Sequence, residues 1–206
     1  MTDEPLQPSG PAISAMVLAG GQSSRLGRDK AFLMVNGQPL VAHTVRKLAA
    51  LSDDLLLITN NPTPYEPLRL PVRLVPDERR GEGALMGIYS GLKAARHSHA
   101  LAVACDMPFL NLPLLRSMLP LIIGYDVVIP RIDGSLEPLH AIYSKACLPF
   151  MARLLEQGQR QIIAFFPQVR VRYLGEEEID RFDPQHLSFV NVNTPEDWER
   201  ARKLLE

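Results

Sequence analysis

The 206-residue sequence lacks an excess of charge of either sign, with a formal net charge of -1 at pH 7. Binding to nucleic acid or to an anionic lipid surface draws on a dense run of uncompensated Lys and Arg, so neither partner is expected. Cysteine is scarce. Cys105 and Cys147 share no CxxC spacing and have no accompanying His pattern, which disfavours a structural zinc site and a disulfide framework. No apolar run approaches the length of a membrane span, and Asp3, Glu4 and three prolines precede Ile13, the reverse of a secretory signal's basic and then apolar order. The expectation is a cytoplasmic protein with residues 1–11 as a mobile tail and residues 12–206 as one domain. Internal repeats and low-complexity tracts are also missing, so nothing marks a second domain boundary.

What is present is an alternation of short Val-, Leu- and Ile-rich blocks with longer stretches of helical spacing. That order predicts an α/β protein with a mostly parallel central sheet and helices on both faces. Buried strands are expected at Ile13–Leu18, Leu55–Thr59, Val72–Val75, Leu101–Ala104 and Val127–Ile129, each too continuously apolar for a half-exposed strand. Helices are expected over Pro39–Leu51, Leu85–Arg96 and Pro113–Leu119, with Val41, Val45 and Leu48 on one face of the first and Leu85, Ile88, Tyr89 and Leu92 on one face of the second. In the last third, Leu139–Tyr143 and Val169–Leu174 read as strands around a helix at Leu148–Gln157. The C-terminal helix has the clearest start: Thr194 is placed to cap it, Pro195 is its first residue, and Trp198, Ala201 and Leu205 share an inward face.

The first strand leads directly into Leu18-Ala19-Gly20-Gly21, followed by Arg25, Gly27, Asp29 and Lys30. Adjacent glycines alone would read as a tight turn. With Arg25 and Lys30 behind them they read instead as a loop whose N–H groups and cations cradle anionic oxygens, through charge-assisted hydrogen bonds worth roughly 1.5–3 kcal/mol each. Neither GxxxxGK nor GxGxxG is present, which argues against a P-loop NTPase and a Rossmann dehydrogenase. The strand Leu101–Ala104 ends in Cys105-Asp106-Met107-Pro108, which places the Asp106 carboxylate where open α/β sheets bind ligands and where Mg²⁺ would find a hard oxygen donor. Alone, such an Asp reads equally as a turn former.

Asp77 follows the third strand, and Gly81-Glu82-Gly83-Ala84-Leu85-Met86-Gly87 then forms a lid or substrate loop leading into a helix. His140, in Glu137-Pro138-Leu139-His140, reads first as a structural histidine and second as a contact to a bound group. Cys105, with no His or Asn fixed near it, reads as core. Asn191 and Asn193 flank Val192 and so share one side of an extended segment, either lining a pocket or shaping a turn.

Together, Leu18-Ala19-Gly20-Gly21 with Arg25, Gly27, Asp29 and Lys30, then Cys105-Asp106-Met107-Pro108, then Asn191-Val192-Asn193-Thr194-Pro195-Glu196-Asp197 resemble the molybdenum cofactor guanylyltransferase family. The resemblance covers nearly all of the chain past Ala12. The opening motif is common to many nucleotidyltransferases, and the terminal stretch narrows it. The resemblance implies a Rossmann-like nucleotidyltransferase fold in which Leu18, Ala19 and Gly20 contact guanine, Gly21 belongs to the same nucleotide loop, Arg25 and Lys30 serve the phosphates, and Asp77 contacts the nucleotide. It further implies that Asp106 binds Mg²⁺ and that Asn191 and Asn193, with His140 as a further candidate, hold the pterin. Sister cytidylyltransferases tend to carry Ala where Gly20 stands, so Gly20 favours GTP. Relatives often have Gly-Pro-Leu-Ala-Gly where this chain has Gly83-Ala84-Leu85-Met86-Gly87, and the polar residue that contacts the nucleotide after the second strand in some relatives has no evident match near Ile58–Asn61.

The implied reaction joins GTP to the terminal phosphate of molybdenum-bound molybdopterin and releases pyrophosphate. A molybdoenzyme or its chaperone is a fitting recipient of so labile a product. Cytidylyl or sugar-1-phosphate nucleotidylyl transfer, and a non-catalytic GTP-binding module, are the alternatives the sequence leaves open.

Overall fold

The computed structural model describes residues 10–19 and 30–205. In chain order its strands are β1 (Ser14–Leu18), β2 (Met34–Val35), β3 (Gln38–Pro39), β4 (Asp54–Ile58), β5 (Arg73–Val75), β6 (His99–Ala104), β7 (Val127–Ile132), β8 (Ser135–Leu136), β9 (His140–Ser144) and β10 (Val171–Leu174). Its α-helices are α1 (Leu40–Ala49), α2 (Ala84–Ala94), α3 (Leu112–Met118), α4 (Leu148–Glu156), α5 (Glu176–Ile179) and α6 (Pro195–Leu205).

The main sheet runs in the order β10-β7-β9-β6-β1-β4-β5. Pairing is parallel from β6 through β1 and β4 to β5, and again between β7 and β10; β9 alone in this row runs antiparallel to both neighbours. Helices cover both faces, because successive side chains of a strand point to opposite sides. Ala15 and Val17 of β1, Leu57 of β4 and Val103 of β6 enter one layer with α1 and α3. Met16, Leu56 and Ala102 enter the other with α2 and α4. Each central strand is therefore buried twice, which accounts for its unbroken apolar character. On the second face α2 lies very close to the sheet: a Cβ on Gly91 would fall 2.5 Å from the Met16 sulfur.

The expected helices occur with ends shifted by a few residues, as helix ends fray. Asn111 caps α3 by accepting a hydrogen bond from the Leu114 amide at 3.0 Å. Thr194 Oγ1 accepts from the Asp197 amide while Asp197 Oδ2 accepts from the Thr194 amide, a reciprocal cap that starts α6 where the sequence places it. Tyr89 is half-buried and packs against the same layer as Leu85, Ile88 and Leu92, on the face where the sequence places it. Two expectations need correction. The strand at Val72–Val75 is a sheet edge rather than a buried strand, with Leu74 37% exposed. Cys105 is half-buried, packed against the α1 layer without being enclosed by it.

At the amino end of the sheet, opposite the site described below, Asp54 is fully buried. Its carboxylate accepts hydrogen bonds from Ser14 Oγ at 2.6 Å, the Arg96 amide at 2.7 Å and Arg73 Nη2 at 2.7 Å. Arg96 Nε adds an ion pair at 3.0 Å.

Candidate active site

Four parallel strands end on the same side, and their carboxyl ends carry most of the residues the sequence singles out. Leu18 closes β1, Asn60 lies just past β4, Asp77 just past β5 and Asp106 just past β6. The order β5-β4-β1-β6 places the reversal of chain direction across the sheet between β1 and β6, the position where open α/β sheets form a ligand crevice. Backbone bonds continue the sheet into this rim: the Cys105 amide donates to Leu18 O at 3.1 Å and the Ala19 amide to Ile58 O at 2.9 Å. Leu18, Ala19 and Asp106 are thus held on adjoining strands.

Lys30 opens a short 3₁₀ turn, Lys30–Phe32. Its ammonium donates to Asp106 Oδ2 at 2.8 Å and to Asn193 Oδ1 at 2.6 Å. The Lys30 and Asp106 side chains are each 17% exposed, so the pair is shielded yet reachable. The Val192 amide donates to Asp106 O at 3.0 Å, which lays the segment before α6 along the end of β6. Three expected site residues from distant parts of the chain, Lys30, Asp106 and Asn193, therefore meet at one point.

Asp77 occupies the other side of the crevice. Asn60 Nδ2 donates to Asp77 Oδ2 at 2.6 Å, and the Asp77 amide donates to Asn60 Oδ1 at 3.1 Å. The second carboxylate oxygen, Oδ1, is buried with no hydrogen-bond partner among the described residues. Burial pushes the Asp77 carboxyl up from its ordinary range, against the opposing effect of Asn60. An orphaned buried acceptor is costly, so Oδ1 is an available partner for a ligand N–H or O–H donor. A Cβ on Gly87 would come within 3.1 Å of Leu18 Cδ2 and 3.7 Å of Asp77 Oδ1. The absent side chain at Gly87 thus lets α2 approach Leu18 and Asp77. Gly87 lies inside α2, so the glycine-containing loop is shorter than the motif Gly81–Gly87 suggests. Gly83, at φ 76° and ψ -167°, takes a positive-φ conformation that favours glycine at the start of that helix.

The remaining expected residues sort differently. Gly20, Gly21 and Arg25 lie outside the described residues. Asn191 Nδ2 turns back to Phe189 O at 3.4 Å, a local contact. His140 is 0% exposed, with its ring 4.8 Å from that of Phe189 and neither ring nitrogen hydrogen-bonded. Burial pushes its pKa down to about 4, only partly offset by Asp183, so it is neutral at pH 7. His140 thus sits in the core beside β6, where its first reading as a structural histidine puts it.

Among the described residues no group of three or more His, Cys, Asp or Glu side chains is arranged to hold a metal ion. Asp106 offers one carboxylate at the crevice. That fits Mg²⁺, which takes one or two protein carboxylates and completes its shell with substrate phosphate oxygens and water.

The family described as the MobA-like NTP transferase domain matches residues 15–197. The chain belongs to this family. Among curated MobA-like relatives, molybdenum cofactor guanylyltransferase from Desulfosudis oleivorans is 35% identical over 197 residues, covering 95% of this chain and 96% of its own. The molybdenum cofactor guanylyltransferase of Syntrophotalea carbinolica is 35% identical over 192 residues, covering 92% and 90%. A crystal structure of molybdopterin-guanine dinucleotide biosynthesis protein A from Archaeoglobus fulgidus superposes with a TM-score of 0.81 at 28% identity, covering 93% of this chain and 98% of that one. Within this MobA-like fold, Asn60 is the site residue that the sequence reading missed. An amide after a strand looks like a turn former, and only the Asp77 contact reveals it. Among the described residues no helix is long and apolar enough to cross a membrane.

Proposed function

We propose that the protein transfers GMP from GTP to the terminal phosphate of molybdenum-bound molybdopterin, forming molybdopterin guanine dinucleotide and pyrophosphate. The meeting of Lys30, Asp106 and Asn193 at the carboxyl ends of β1 and β6 carries this reading, because it joins a phosphate-binding cation, a metal-binding carboxylate and the segment expected to hold the pterin. The names of the relatives supply the substrate class.

In this reading the acceptor's phosphate oxygen attacks the α-phosphorus of GTP. The bond between the α-phosphorus and the oxygen bridging to the β-phosphorus breaks, and pyrophosphate carries the electron pair away. The chain contributes position and charge rather than a nucleophile. Lys30 donates to the phosphates, Leu18 and Ala19 line the base, and Asp77, oriented by Asn60, accepts from the nucleoside. Gly20, Gly21 and Arg25 complete the phosphate loop, with Gly20 favouring guanine. Asp106 would hold magnesium, and the ion would supply neutralising charge at the reacting phosphates. The reaction belongs in the cytoplasm, where a molybdoenzyme or its chaperone receives the product.

The test is to incubate the protein with magnesium, GTP and molybdenum-loaded molybdopterin and to identify the guanine dinucleotide by mass; its absence would reject the reading. Asp77→Ala is expected to raise the KM for GTP about tenfold with a smaller change in kcat, since the lost contact is made in the ground state as well as the transition state. Steady-state kinetics at varied GTP measures this, and an unchanged KM would remove Asp77 from the nucleotide site.

A further inference from the structure

Asn193 has a second relationship that its expected pterin role does not explain. Its side-chain carbonyl accepts from Lys30 Nζ, the same ammonium that Asp106 holds. An ammonium has three donors, and these two bonds leave one directed elsewhere. With Oδ1 committed to Lys30, the amide's own N–H donors point the other way.

The backbone around Asn193 is fixed on both sides. Val192 is tied to Asp106 O. The amides of Asn193 and Thr194 both donate to Asp197 Oδ2, at 3.1 and 2.9 Å, and Arg200 Nη2 holds the other oxygen of that carboxylate at 2.7 Å. The helix behind this cap is anchored in turn. Ala201, Trp198 and Leu205 pack with Val192 against Leu33, Val35 and Leu40, which follow Lys30 within ten residues. The C-terminal helix and the segment carrying Lys30 therefore share one small hydrophobic cluster.

We propose that Asn193 is a positioning residue for the nucleotide half of the site: through its carbonyl, the α6 cap fixes the Lys30 ammonium in the orientation that receives the triphosphate. The inference rests on the nucleotidyl-transfer reading and deepens it. It assigns Asn193 an effect on nucleotide affinity that passes through Lys30, separate from any contact the same amide makes with the acceptor.

The experiment is a double-mutant cycle on Lys30→Ala and Asn193→Ala, with the dissociation constant of Mg·GTP measured by calorimetry in the absence of any pterin. Thermal melts of all four proteins report the fold. Asn193→Ala is expected to weaken Mg·GTP binding about tenfold, as befits one lost charge-assisted hydrogen bond. In the Lys30→Ala background the same change is expected to have no further effect, because its influence passes through Lys30. A purely structural role would weaken both backgrounds alike, and a purely acceptor-binding role would leave Mg·GTP binding unchanged in both; either result overturns the proposal. If the wild type binds Mg·CTP and not Mg·GTP, the guanine reading fails, and the cycle run with Mg·CTP still decides the role of Asn193. A wild type that binds neither overturns both.

Discussion

Turnover of GTP in Asp106→Ala is expected to fall about a thousandfold, a loss of roughly 4 kcal/mol of transition-state stabilisation. Asp106 lies just past β6, beside the end of β1, with Oδ2 2.8 Å from the Lys30 ammonium. Removing it takes away both the donor proposed for magnesium and the charge that holds Lys30. The loss belongs mainly in kcat, because charge builds on the phosphates in the transition state; at Asp77 and Asn193 it belongs in nucleotide affinity. Asp106→Asn, which keeps the shape and loses the charge, is expected to behave almost as severely. Magnesium-dependent pyrophosphate release measures both variants, and near-normal turnover in either would rule out a charged role for Asp106.

Asp54→Ala is expected to cost about 3–5 kcal/mol of stability, since it strips the anion from a buried, hydrogen-bonded charge network. For a chain of this size that corresponds to a melting temperature lower by roughly 10 °C. Burial alone would push the Asp54 carboxyl up, but hydrogen bonds from Ser14, the Arg96 amide, and the Arg73 and Arg96 guanidiniums outweigh it and hold the group well below the usual carboxylate range. A depressed folded-state pKa means that the unfolded chain takes up its proton first as the pH falls. The stabilisation is therefore complete above the unfolded value of about 4 and fades below it. Melts of wild type and Asp54→Ala should differ most near neutrality and converge as the pH drops below about 4. A gap that stays constant down to pH 2 would contradict this account of the network.

The central strands were legible because burial on both faces requires unbroken apolar runs, as in Leu55–Ile58 and Leu101–Ala104. The same rule was misapplied to Val72–Val75, where Arg73 interrupts the apolar run and no described strand pairs beyond it in the sheet. The hairpin of β2 and β3 escaped because two-residue strands have no readable period, and α5 because it is only four residues long. For the site, Lys30 and Asp106 were legible as residue types at strand-linked positions, but their contact with Asn193 was not, as 163 residues separate Lys30 from Asn193. Asn60 and Asp54 share a different difficulty. Each is a polar residue at a strand end, where turn formation is the commonest explanation, and only the partners brought by β5, β1 and the residues after α2 reveal its role.

The most direct test of the account is pyrophosphate release from GTP and from CTP, each with magnesium and each with and without molybdenum-loaded molybdopterin. Release from GTP alone, and only when the pterin is present, is the predicted result. Release from CTP in preference to GTP, or release from neither, would contradict it.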